Sequence, residues 1–115
     1  MIRIKRGDAK KYDLQLVDYD GNLFNLTGYT VYFMAKEKMS DADEDAVIDK
    51  SSTGGGITVV NATNGEITIN FVATDTDLPE KTYYYDIRVV SETDGPYSTD
   101  VDKLVIEPTV RKGFV

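Results

Sequence analysis

Apolar and polar residues alternate along most of this chain, and no other feature restricts its fold as much. Successive side chains of a β-strand point to opposite sides, so a two-residue period marks a strand with one buried face. It groups Tyr12, Leu14 and Leu16 in "YDLQLVD" and Tyr29, Val31, Phe33 and Ala35 in "YTVYFMAK". In "EITINFVA" it groups Ile67, Ile69, Phe71 and Ala73. The stretch "KTYYYDIRVV" carries three adjacent tyrosines, which the same period divides. Tyr83 and Tyr85 go inward with Ile87 and Val89, while Tyr84 goes outward with Asp86, Arg88 and Val90. No continuous aromatic shelf results, and only Tyr84 is left to meet a partner.

Turn chemistry separates these runs. "DYDGN" and "TDGP" supply Asp-Gly pairs and "NATNGE" an Asn-Gly pair, dipeptides that tolerate the positive backbone dihedral of tight hairpins. The Asn64-Gly65 pair, between "ITVV" and "EITINF", is the strongest hairpin signal. "STGGGI" holds too many glycines for a regular element and reads as a turn. The runs predict strands at residues 2–5, 11–18, 23–25, 29–37, 46–50, 57–61, 66–72, 82–91 and 102–108. Turns every 8 to 12 residues or so are the pattern of an all-β, antiparallel β-sandwich, and an immunoglobulin-like one with about seven to nine short strands is expected. The one helical turn expected is at "MSDADEDA", with Ser40 as its cap.

A chain of 115 residues matches a single domain, 1–115, able to bury about two thirds of its unfolded surface. It holds no Cys and no His. Disulfides, thiolate nucleophiles and sulfur-ligated metals are therefore excluded, and the commonest general base and metal ligand is missing. No apolar run follows the basic start, which predicts no secretory signal, and none approaches the roughly 20 residues of a membrane helix. Synthesis in a cytoplasm without a classical export signal is expected, so the "NLT" and "NAT" triplets at Asn25 and Asn61 read as chance.

Net charge is −7, unevenly spread. Residues 1–12 hold Arg3, Lys5, Arg6, Lys10 and Lys11 against Asp8, and residues 111–115 add Arg111 and Lys112, leaving −13 for the body between. An acidic body repels phosphates, so no nucleic-acid partner is expected, nor a membrane one. The basic ends either lie on the acidic body of this copy or a neighbour, or stand solvated.

Candidate chemistry is thin. "DADED" at residues 41–45 imitates the start of a calcium loop, but the loop's sixth position, a Gly, is Ala46 and its twelfth, a Glu, is Ser52. A solvated acidic loop explains it, and Asp75 and Asp77 are weaker still. No nucleophile, base and oxyanion donor can be named together, so no enzyme, catalytic residue, metal or cofactor is expected. Among 20 Asp and Glu, a pair at glycosidase distance can arise by accident, which leaves a glycan-degrading enzyme as the weakest alternative.

The ordered string "KRGDAKKYDLQLVDYDGNLFNLTGYTVYFMAK", "NATNGEITINF", "LPEKTYYYDIRVVSETDG" and "KLVIEPTV" resembles the immunoglobulin-like β-sandwich at the N-terminus of bacteriophage baseplate upper proteins. The resemblance rests on "RGD" (residues 6–8) leading into a strand, "DYDGNLFNLTGYTVYF", "TNGEITI" and "TYYYDIRV" before an Asp-Gly turn. It covers nearly the whole chain. "RGD" here shapes the approach to a strand and is not an integrin motif. What the resemblance implies is a non-enzymatic virion protein of the tail, baseplate or fibre, assembling with copies of itself or with other tail proteins. It supplies no catalytic residues. Arg3, Lys5, Arg6, Tyr84, Arg88, Arg111 and Lys112 are the expected interface. The alternative is a host-adhesion module in which Tyr84 and other outward rings stack on surface glycan.

Overall fold

The computed structural model describes residues 1–110, and their regular elements are strands except for one 3-10 turn. The strands are β1 (Ile2–Lys5), β2 (Lys10–Gln15), β3 (Thr30–Lys36), β4 (Ile48–Ser51), β5 (Ile57–Asn61), β6 (Glu66–Phe71), β7 (Thr82–Val90), β8 (Tyr97–Ser98) and β9 (Asp102–Glu107). They form two sheets. The larger has the order β1-β9-β7-β3-β4, with β8 pairing the end of β7 that β9 leaves open, and the smaller has the order β2-β6-β5.

The alternating residues meet between the sheets. Val31, Phe33 and Ala35 of β3, and Tyr83, Tyr85, Ile87 and Val89 of β7, are buried from one side; Ile67, Ile69 and Phe71 of β6 are buried from the other. The Phe33 ring stacks on Tyr85 at 5.1 Å and meets Phe71 of the other sheet edge-on at 5.5 Å. Ile2, Ile4, Leu104 and Ile106 extend the same core. Burying each such side chain contributes about 1.5–3 kcal/mol, so this shared interior holds the two layers together. The inward tyrosines keep partners for their hydroxyls: Tyr83 donates to Pro79 O at 2.8 Å and Tyr85 to Asp102 at 3.5 Å.

The expected wholly antiparallel pairing needs correction. β1 runs parallel to β9, from Ile2 opposite Leu104 to Lys5 opposite Glu107. The reason lies in the next four residues, which carry the chain into the other sheet instead of back along a hairpin. Gly7 turns this corner at φ 81° and donates to Thr76 O at 3.2 Å, and the Thr76 hydroxyl donates to Asp8 O at 2.7 Å. Thr76 is fully buried, so it ties the corner down from inside. "RGD" is this crossover.

Four further departures have local causes. The strand expected at 23–25 reduces to an isolated Val17 and Leu23 bridge, because Asp18 Oδ1 accepts the Asp20 and Asn22 N–H groups and Asn25 Oδ1 accepts that of Thr27. β2 ends at Gln15, short of the expected 18, where that turn region begins. β8 was hidden in a sequence of turn residues. The acidic segment forms a single 3-10 turn over Asp43–Asp45 preceded by Ala42, with no side-chain cap from Ser40. The Asn-Gly hairpin forms as expected: Gly65 adopts φ 72° between β5 and β6, and a Cβ there would fall 2.6 Å from Leu16 O and 2.7 Å from Phe24 O.

Candidate interaction face

On the outer side of the larger sheet, β3 presents Tyr32, Met34 and Lys36 and β7 presents Tyr84, Asp86 and Arg88. Register sets their neighbours. Tyr32 lies opposite Arg88, Met34 opposite Asp86 and Lys36 opposite Tyr84, while β4 places Asp49 on the other side of Met34. Met34 is thus flanked by two carboxylates across three strands, with a tyrosine at each end of the patch. Four residues separate the rows of Tyr32 and Tyr84, or about 13 Å along the strands.

This surface is concave. Met39 and Asp43 on one side and Pro96 and Val101 on the other wall a trough of about 430 Å³. Met39 is 63% exposed and Val101 51%, so large apolar side chains meet solvent beside the charged ones. Lys36 is drawn to one wall, where its Nζ donates to Asp43 Oδ1 at 2.6 Å and Asp41 O at 2.9 Å. That bond holds the Asp43 carboxyl below its usual range. The Arg88 Nε donates to Ser98 Oγ at 3.2 Å, and the charge of Arg88 also helps to lower Asp43. Among the described residues, Asp49 and Asp86 form no ion pair.

The expected interface residues divide into two sets. Tyr84 and Arg88 belong to the trough. Arg3, Lys5 and Arg6 lie at the far edge of the sheet, where much of the basic start is held by the chain's own acids. Arg6 meets Asp77 and Glu80, both at 3.1 Å, and the bond to Asp77 chiefly raises its pKa. Arg3 stands 3.6 Å from Glu107, and the N-terminal ammonium 2.7 Å from Asp102. Lys5 is exposed. Arg111 and Lys112 lie outside the described residues.

Tyr32, Met34, Asp49 and Asp86 were missed as site residues. Strand parity already pointed Tyr32, Met34 and Asp86 outward, but only the register of β4, β3 and β7 brings all four together. A second aromatic group closes one end of the core: Phe24 meets Tyr29 at 5.2 Å and Tyr97 at 5.9 Å. Both tyrosine hydroxyls donate to Asp94, that of Tyr97 at 2.7 Å. The bond to Asp94, then burial, pushes the Tyr29 phenol up to about 12, and the same two bonds lower the Asp94 carboxyl. This clasp satisfies its own members and serves the fold.

Among the described residues, no group of acidic side chains is arranged to hold a metal ion, and no helix is long and apolar enough to cross a membrane. The chain matches no protein-family model, no curated protein and no solved structure.

Proposed function

We propose that this chain is a single-domain, non-enzymatic interaction module of a bacteriophage virion, built as an immunoglobulin-like sandwich and docking through the trough on its larger sheet. The observation that carries the reading is the strand order, β1-β9-β7-β3-β4 facing β2-β6-β5. It agrees with a variable-type immunoglobulin plan, whose G-F-C-C′ run corresponds to β9-β7-β3-β4 and whose B-E-D run corresponds to β2-β6-β5. The order joins the resemblance of "RGD", "TNGEITI" and "TYYYDIRV" to baseplate upper proteins, which supplies the virion setting. An exposed mixture of Tyr, Met and charged groups in one concavity suits contact with another protein.

Mass spectrometry of particles purified from the host that carries the gene tests this reading. The chain is expected in fixed ratio to other tail proteins; its absence from intact particles would refute the virion role. A glycan-binding reading is favoured by one observation, the outward rings of Tyr32 and Tyr84 on neighbouring strands. It predicts a change in tyrosine fluorescence on titration with host-surface oligosaccharide, where the protein-docking reading predicts none.

A further inference from the structure

We propose that the trough is a docking site for a polypeptide segment that presents an arginine or lysine side chain to Asp49 and Asp86. This rests on the reading of the chain as an interaction module and names the chemistry of one partner. The cross-strand row Asp49, Met34 and Asp86 places an acid on either side of a thioether, their Cα atoms about 10 Å apart, the width of two strand spacings. A cation that enters between two carboxylates on one face is attracted by both. Among the described residues, the cations of this face form no ion pair with either acid: Lys36 bonds to Asp41 O and Asp43, Arg88 donates to Ser98 Oγ, and Lys103 of β9 lies opposite Tyr84.

The rest of the floor suits such a guest. A lysine or arginine stem lies along apolar surface while its head seeks charge, and Met34 supplies that surface between the acids. Tyr32 and Tyr84 bound the row, and neither hydroxyl makes a hydrogen bond to another described residue, so each ring is available to a cation or an aromatic of the partner. A volume of about 430 Å³ admits several residues of a segment, more than one side chain needs. The net charge of −7 draws a basic segment toward the molecule before contact and repels an acidic one.

Fluorescence anisotropy with labelled, end-blocked octapeptides tests the proposal on the full chain. PTVRKGFV, the sequence of residues 108–115, is compared with PTVAAGFV and PTVEEGFV at about 50 mM salt, where screening is weak. The expected order of affinity is basic, then neutral, then acidic. Asp49→Asn with Asp86→Asn should weaken the basic peptide about tenfold and leave the neutral one unchanged. Glu66→Gln, on the other sheet, should change neither. Equal binding of all three peptides, no binding of the basic one up to about 1 mM, or full affinity in the double Asn variant would overturn the proposal. Near-ultraviolet circular dichroism of that variant should match the parent, which separates lost docking from lost folding. Recovery of the chain in particles is scored independently, so the module can survive the loss of this site.

Discussion

The outer faces of the two sheets solve the same problem differently. On the smaller sheet the short outward groups satisfy one another: Thr68 donates to Asp13 Oδ1 at 2.6 Å, and Asn70 to Thr58 Oγ1 at 3.1 Å. Gln15 closes the row by donating to Asn64 O at 3.2 Å. On the larger sheet the outward groups are long, aromatic or charged, and the carboxylates beside Met34 form no ion pair with a described residue. A face whose hydrogen bonds close on themselves gains little from a partner. One with exposed rings and unpaired carboxylates can gain from contact, which is why docking is proposed for the trough and not for the smaller sheet.

The largest expected effect lies in what both faces depend on. Phe33→Ala removes the ring that touches both Tyr85 and Phe71, and should lower unfolding free energy by about 3–5 kcal/mol in urea titration. A loss below about 1 kcal/mol would mean that the two sheets do not share a packed interior. Next comes the corner that carries the chain from one sheet to the other. Thr76→Val keeps the shape but leaves Asp8 O without its buried donor, and should cost about 1–3 kcal/mol.

The faces themselves are then expected to answer differently. Asp13→Ala strips the nearly buried Thr68 hydroxyl of its acceptor and should destabilise by about 1 kcal/mol. Asp49→Asn with Asp86→Asn should be neutral, or stabilising by up to about 0.5 kcal/mol, since it relieves repulsion and breaks no bond. Equal destabilisation by both changes would erase the distinction between the faces.

The smallest effect is in pH dependence and belongs to the clasp at the end of the core. The folded Asp94 carboxyl lies below its unfolded value, so its contribution is present above about pH 4 and is lost as pH falls through the lowered value. Tyr29 lies above its unfolded value, so its contribution is full below about pH 10 and fades as pH rises toward about 12. Tyr29→Phe should therefore flatten the fall in urea midpoint between pH 10 and 12 relative to the parent. Parallel profiles would assign that fall to the other raised phenols: Tyr85, which burial pushes up to about 12, with Tyr83 and Tyr97.

Parity was legible because it is local. Each strand with a buried face announced which side chains go inward, and Tyr83, Tyr85, Ile87 and Val89 lie inward as their spacing required. The Asn64-Gly65 turn was legible for the same reason, since a positive φ is a property of one residue. Length and terminal dihedrals of the weak strands were not: 23–25 lost to side-chain turns at Asp18 and Asn25, and β8 pairs only because β7 runs past β9.

By itself, then, the sequence determined the all-β class, the inward and outward faces of the main strands and the absence of Cys and His chemistry. Tertiary structure alone decided that β1 lies parallel to β9, that Arg6 serves the chain's own Asp77 and Glu80, and that Asp49, Met34 and Asp86 stand abreast. The reason is distance along the chain. A two-residue period fixes which way a side chain points, while its neighbour across the sheet depends on register between segments tens of residues apart.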